Sequence, residues 1–181
     1  MEFLQETLTS TVAIANGLSL IGCILMVLSG SVKGERNTLR IQNLQLVILG
    51  IANFMLTGYT GAAINAIGIA RNLLYRAKKL TMPVKIALIA VAALATYLLN
   101  NAGIVGWFPT LTMVLFTFLL GFGGVIGIKV ITIVAQILWA FYDFHYRNYT
   151  AFAFDLITVC SCIVGIYRNY RLYGKKAFQT E

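Results

Sequence analysis

The sequence predicts an all-α membrane protein with seven transmembrane helices, arranged as two parallel triple-helix bundles joined by a linker helix. Three observations predict it. Of 181 residues, 59% are hydrophobic and 11% are charged, whereas a soluble domain carries about 25% charged residues. The apolar residues come in blocks of about fourteen to twenty, near the span of a bilayer's hydrocarbon core. Patterns in the first half recur about ninety residues later. The chain reads as one transmembrane domain over 1–181. Alternating strands are missing, which argues against an outer-membrane barrel.

Helices are expected at 10–29, 41–57, 59–76, 85–105, 107–126, 129–144 and 150–167. The first is the run TVAIANGLSLIGCILMVLSG. The segment before it, MEFLQETLTS, has Glu2 and Glu6 but no Lys or Arg, so no cleaved signal peptide is expected. The second and seventh are equally clear apolar runs, and the third opens at YTGAAIN. The fourth follows Pro83, with Lys85 at its edge and Asn100 and Asn101 near its end. The fifth opens WFP, where Pro109 suits a first helical turn because its missing N–H is not needed there. It closes in or near GFGGVIG, in which Gly123 and Gly127 have the four-residue spacing of close helix approach. That spacing leaves a homo-oligomer open, because the contact could lie within or between chains. Six helices, with the fifth and sixth merged or the third half-inserted, is the alternative.

The charges set an orientation. Lys33, Arg36 and Arg40 fall in the first connection. Arg71, Arg76, Lys78, Lys79 and Lys85 flank the third, Lys129 the fifth, and Arg168, Arg171, Lys175 and Lys176 form the tail. Only Arg147 falls on the other side. Short basic loops stay in the cytoplasm, so the N-terminus is expected outside and the C-terminus inside, which requires an odd number of helices. The formal charge of +8 is read as this topology signal plus contact with anionic lipid head groups. It is not read as a nucleic-acid surface, since no recognition module accompanies it. Cys23, Cys160 and Cys162 are expected to be buried thiols. With His145 the only histidine, neither a metal site nor a cofactor is expected.

The repeat has a definite register. YTGAAIN at 59–65 matches YTAFAFD at 149–155, placing Asn65 on Asp155. The same shift of ninety puts Asn53 on Asp143, and Gln45 and Gln136 match at ninety-one. A competing register of ninety-seven aligns RNLLYR at 71–76 with RNYR at 168–171. At ninety, residues 10–76 form a first three-helix repeat, 85–105 the linker helix and 107–170 the second repeat. An odd linker leaves both repeats parallel, with a solute site near the midplane between them.

The stretches RIQNLQLVILGIANFMLTGYTGAAINAIGIARN and WAFYDFHYRNYTAFAFDLITVCSCIVGIYRN resemble the bacterial inner-membrane protein family YgjV. The resemblance covers about residues 15–171. It implies an architecture similar to the SWEET, PQ-loop and PnuC transporter group, in which polar residues on the third and seventh helices help bind a solute in a central cavity. By that resemblance Asn65 and Asp155 are the pocket pair. The chain departs from SWEET proteins in its first helix, which lacks the Pro-Gln hinge; only Pro109 lies near a matching place.

Among single residues, Asp155 is the sharpest candidate. A carboxylate inside a membrane helix costs about 2.5–3.5 kcal/mol on insertion scales and usually faces a cavity or partner. It is the candidate substrate acceptor and the candidate proton-coupling group, against a structural role satisfied by a neighbouring helix. Asn65 is its repeat counterpart, or else interhelical glue. Asp143 is expected to pair with Arg147 at i,i+4, with Asn53 as its weaker counterpart. Trp139 and Gln136 share one helix face and suit an aromatic-plus-amide pocket wall, or packing. Gln45 could face the pore. Trp107 reads as an interfacial anchor, and Arg71 as a side chain snorkelling to lipid phosphates. No G-x-S-x-G, P-loop or HExxH is present, so no enzyme is expected. The expected function is a SWEET-like facilitator or proton-coupled carrier of a small polar solute such as a sugar, nucleoside or vitamin. A non-transporting receptor or assembly partner with the same fold is the alternative.

Overall fold

The protein is described here from a computed structural model that covers residues 2–31, 35–119 and 124–173. Seven α-helices and one 3-10 turn occupy these residues: α1 Glu2–Ser31, α2 Glu35–Met55, α3 Tyr59–Arg76, α4 Met82–Leu99, the 3-10 turn Val105–Trp107, α5 Phe108–Leu119, α6 Gly124–His145 and α7 Tyr149–Tyr173. No strand occurs among the described residues.

Three segments are long and apolar enough to cross a membrane: Thr9–Val27, Met82–Leu99 and Tyr149–Tyr167. Leu39–Met55 and Val105–Leu119 are shorter apolar segments. The side-chain distribution is inverted relative to a soluble bundle. Large apolar residues such as Ile14, Phe54, Leu98, Ile104, Phe141 and Val164 lie outside. Ser19, Asn53, Asn65, Thr96, Thr110, Asp143, Asn148 and Asp155 lie inside. Only an apolar surrounding makes that arrangement favourable, because each buried polar group needs an internal partner while the apolar exterior meets lipid.

Several helix ends differ from expectation. α4 stops at Leu99, not 105. Asn100 accepts a bond from the Ala102 N–H at 3.0 Å and donates to the Gly103 carbonyl at 2.7 Å, which turns the chain out of the helix. α5 ends at Leu119 and α6 begins at Gly124. Gly127 therefore belongs to the start of α6, and Gly123 lies outside the described residues. Pro83 and Pro109 sit in the first turns of α4 and α5 as anticipated.

Two corners stand out. In the α2–α3 corner, Leu56 N–H bonds to Ala52 O, Thr57 to Phe54, Gly58 to Asn53 and Ala62 to Gly58. In the α6–α7 corner, Tyr146 bonds to Tyr142, Arg147 to Phe144, Asn148 to Asp143 and Phe152 to Asn148. These four bonds recur at a shift of ninety, not ninety-seven. Thr57 (φ 63°) and Arg147 (φ 59°) both take the left-handed conformation.

Each corner is closed from a distant part of the chain. Asn101 Nδ2 donates to the Thr57 carbonyl at 3.0 Å, and Asn16 Nδ2 donates to the Arg147 carbonyl at 3.0 Å. Asn16 also accepts the Thr150 N–H at 2.9 Å. A β-branched residue at positive φ is strained by about 1–2 kcal/mol. Thr57→Gly is therefore expected to stabilise the protein by about 0.5–1 kcal/mol, after the entropy that glycine adds to the unfolded chain. A lower unfolding temperature in detergent would contradict the assignment of strain at this corner.

The helices pack in chain order: α1 on α2 on α3, and α5 on α6 on α7. Two further contacts join the ends of these series, α1 with α7 and α3 with α5, while α4 lies against α3 and α5. The buried Thr96 and Thr110 hydroxyls hydrogen-bond to each other and tie α4 to α5.

Candidate functional site

The corners position the polar interior. At the end of α6 and in the turn after it, positions 139, 142, 143 and 146 share one face through i,i+3 and i,i+4 spacing. Tyr142 is fully buried and reaches the opposite corner. Its hydroxyl oxygen accepts the Gly61 N–H at 2.7 Å and the Thr60 hydroxyl at 3.2 Å. Gly58 and Gly61 make room for it, since a Cβ at either position would fall 2.7 Å from the Tyr142 hydroxyl. Trp139 and Tyr146 flank the ring, with centroids at 5.5 and 4.7 Å. Tyr146 donates to Asn101 Oδ1. Trp139 also packs between the Ala15–Leu56–Tyr142 cluster and the Ile64–Ala92–Met113 cluster.

Directly beside Tyr142 lies Asp143, buried in the α6–α7 corner. Asn148 Nδ2 donates to its Oδ1 at a long 3.4 Å, and the Asp155 carboxyl lies near it. Asp155 lies six residues into α7, roughly 9 Å along the helix axis. It is buried, and its Oδ2 has no partner. Cys23 of α1 is within electrostatic reach of both carboxyls. Ser19 stands one turn earlier on α1, fully buried, with its Oγ unpartnered.

The first repeat builds the same place with amides. Asn53 and Asn65 are buried between α2 and α3, and Asn53 Oδ1 and Asn65 Nδ2 have no partner. Asn65 lies against Gly50 of α2.

Of the residues singled out in the sequence, Asn53, Asn65, Asp155 and Trp139 lie in this buried region. Gln136 turns to α1, where its amide reaches Met26 Sδ at 4.0 Å. Gln45 is half-buried on α2, about two turns inward of Asn53.

The Asp143–Arg147 ion pair is corrected. α6 ends at His145, Arg147 is exposed in the left-handed conformation, and Asp143 accepts a bond from Asn148 instead. Arg71 is also corrected. Its guanidinium turns inward to Asn72 Oδ1 (3.2 and 3.4 Å) and Met113 Sδ (3.8 Å), and Asn72 donates to Asn43 at 3.0 Å. Cys23 is buried as expected, whereas Cys162 is half-buried and Cys160 is exposed on the apolar surface. Ser19 and Tyr142 were not legible as site residues. Only the register of ninety pointed to Asp143, by matching it to Asn53. An open recess of about 740 Å³ lies elsewhere, at the α3–α4 connection, lined by Leu39, Leu73, Tyr75, Arg76, Lys78 and Thr81.

A helical bundle with an apolar exterior and a hydrogen-bonding interior is an integral membrane protein of the α-helical class. The family description "Bacterial inner membrane protein" (Imp-YgjV) matches residues 13–173. That span is most of the chain, and the chain belongs to this family. No curated protein and no solved structure matches it.

Proposed function

We propose that the chain is a SWEET-like carrier of a small polar solute across the inner membrane, acting as a facilitator or by proton coupling. One observation carries this reading. A buried polar atom without a partner recurs at one matching position of the two repeats, on Asn65 and on Asp155, and Asn53 carries another in the first. Unsatisfied buried polar atoms are costly, and a solute that hydrogen-bonds to them offsets that cost.

The packing supports two parallel three-helix repeats, α1–α3 and α5–α7, with α4 as linker. α1 crosses to the second repeat and α5 to the first, so the polar corners face a shared interface. In this reading all seven helices span the bilayer. The corners and Asn101 lie at the outer end, the basic connections in the cytoplasm, and the termini outside and inside respectively. Rocking of one repeat against the other would alternate access. Tyr142, seated on Gly58 and Gly61, closes the outer side. Asp155 is the solute acceptor and the group that exchanges a proton.

Two assays test this. Thermal unfolding of the detergent-purified protein is run against sugars, nucleosides, vitamins and amino acids, since a ligand of the folded state raises stability by RT ln(1 + [L]/Kd). Hits are then measured for uptake into proteoliposomes. Asp155→Asn is expected to lower uptake on the order of ten- to a hundredfold, the equivalent of one lost charged hydrogen bond of about 1.5–3 kcal/mol. Full uptake by the variant removes Asp155 from the site. Binding without flux points to a receptor, and an absence of hits to an assembly partner.

A further inference from the structure

We propose that the Arg71 guanidinium binds an oxyanion, and that the solute carries the carboxylate or phosphate it grips. The inference rests on the carrier reading and deepens it by naming the charge class of the solute.

Arg71 stands far from the two corners, twelve residues into α3 from Tyr59, roughly 18 Å along the axis. Ile64, Ile67 and Arg71 share one face of α3 through i,i+3 and i,i+4 spacing. The adjoining face meets α2, where Gly68 lies against Leu46 and Asn72 donates to Asn43 Oδ1 at 3.0 Å. The guanidinium crosses to α5. Its Nη1 donates to Met113 Sδ at 3.8 Å, while Nε and Nη2 share the single oxygen Asn72 Oδ1 at 3.4 and 3.2 Å. Asn72 is buried and its amide is fixed by Asn43, so the direction of the guanidinium is set before a ligand arrives.

That setting leaves the cation unmatched. A guanidinium has five N–H donors, and three of them go to an amide oxygen and a thioether, neither of which carries charge. One N–H on each terminal nitrogen remains. A planar fork of that kind fits carboxylate and phosphate oxygens. Among the described residues no carboxylate meets it. The chain has six acids. Asp143 and Asp155 belong to the α6–α7 corner and its neighbourhood, Glu2 and Glu6 begin α1, Glu35 opens α2 eight residues before Asn43, and Glu181 lies outside the described residues. An interior charge without a counter-ion is strongly disfavoured, and a ligand oxyanion supplies one.

The helix pair itself has no need of this cation. At the shift of ninety, Asn43, Arg71 and Asn72 correspond to Ile133, Ser161 and Cys162, and α6 and α7 pack on each other without an arginine there. The surroundings also choose between two sources of an oxyanion. A side chain serving lipid head groups would reach outward, whereas this one is directed at buried Asn72 and Met113. Met113 in turn belongs to the Ile64–Ala92–Met113 cluster, against which Ile67, Leu88 and Trp139 pack. A small solute with an oxyanion at one end and an apolar body fits that setting.

The test compares probes of similar shape and different charge. Butyrate, its neutral counterpart butyramide, inorganic phosphate and sodium chloride are titrated into the detergent-purified full chain at fixed pH and ionic strength, and unfolding temperature is followed. The expected result is an upward shift with butyrate or phosphate and none with butyramide or chloride. In Arg71→Gln the oxyanion shift should disappear, while the ligand-free variant melts at or above the wild type because an uncompensated charge has gone. Arg71→Lys keeps the charge without the fork and should bind several-fold more weakly. Repeating the titration in nanodiscs of phosphatidylcholine and of phosphatidylglycerol separates solute from lipid, and the oxyanion shift should be the same in both.

No shift with either oxyanion, an equal shift with butyramide or chloride, or a shift that survives in Arg71→Gln each overturns the proposal. So does a ligand-free Arg71→Gln that melts below the wild type, which marks a structural arginine, or a shift lost in phosphatidylglycerol alone, which gives the site to a head group. Uptake of a neutral solute that Arg71→Gln leaves unchanged would overturn it while leaving the carrier reading intact. Oxyanion-selective binding abolished by Arg71→Gln, without flux of any solute, would do the reverse.

Discussion

Tyr142→Ala is expected to lower the free energy of unfolding by about 3–5 kcal/mol, the range for truncating a large aromatic in a packed interior. Tyr142 is the largest fully buried side chain among the described residues, and it joins α6 to the α2–α3 corner through two hydrogen bonds. Its ring also holds Trp139 and Tyr146 in place. The size of the loss can be divided. Tyr142→Phe keeps the ring but leaves the buried Gly61 N–H without an acceptor, at a cost of about 1–3 kcal/mol. The rest belongs to packing. Thermal unfolding in detergent reads both. An Ala variant melting within about two degrees of the wild type would show that α6 does not depend on this residue, since 1 kcal/mol moves a protein of this size by roughly 2–4 °C.

Gly61→Val should have an effect of similar size from the opposite cause. A Cβ at position 61 would lie 2.7 Å from Tyr142 Cε1, 2.7 Å from its hydroxyl and 2.9 Å from Asn53 Nδ2. Forcing carbon into a filled interior costs about 1–3 kcal/mol, and valine adds two further methyl groups to the clash. The helix must then part from Tyr142 or the tyrosine must leave its seat. The variant should be much less damaging in a Tyr142→Ala background, because the space is then vacant. A double-mutant cycle should show coupling of about 1 kcal/mol or more, and strict additivity would place the damage elsewhere. Gly17→Ala is the control. Nothing lies within 4 Å of a Cβ there, so helix propensity alone should make that change neutral or mildly stabilising.

The elements most legible in the sequence were those governed by local chemistry. Apolar blocks marked seven helices, three of which hold segments long and apolar enough to cross a membrane. Both prolines fell in first turns for the reason their chemistry gives. The register of ninety was readable because YTGAAIN and YTAFAFD each keep a tyrosine at the helix start and a polar residue six positions later.

What failed depended on direction. The Asp143–Arg147 pairing assumed that helix geometry continued through residue 147, but α6 had already ended and the chain had turned left-handed. Arg71 was assigned to lipid phosphates because it sits at a helix end. Which way a long side chain turns there is decided by α5 and by Asn72, which one-dimensional spacing does not contain. Cys160 and Cys162 were expected to be buried because both faces of α7 are apolar in sequence, and nothing local distinguishes the lipid face from the packed one. Ser19 and Tyr142 gain their importance from partners on other helices.

The exchange of asparagine caps has a consequence for how the chain is made. The Thr57 carbonyl is closed by Asn101, and the Arg147 carbonyl by Asn16. When the first hairpin leaves the ribosome, its closing residue has still to be translated. Asn16, by contrast, is in place long before the corner it serves exists. Chains are generally synthesised and folded from the N-terminal side, so the first half must wait in the bilayer with its corner open. Neither half is a finished unit alone, and each is completed by an amide that the other supplies. Assembly therefore ends in a mutual docking step. Splitting the gene between α3 and α4 would produce two fragments that mature only when co-expressed.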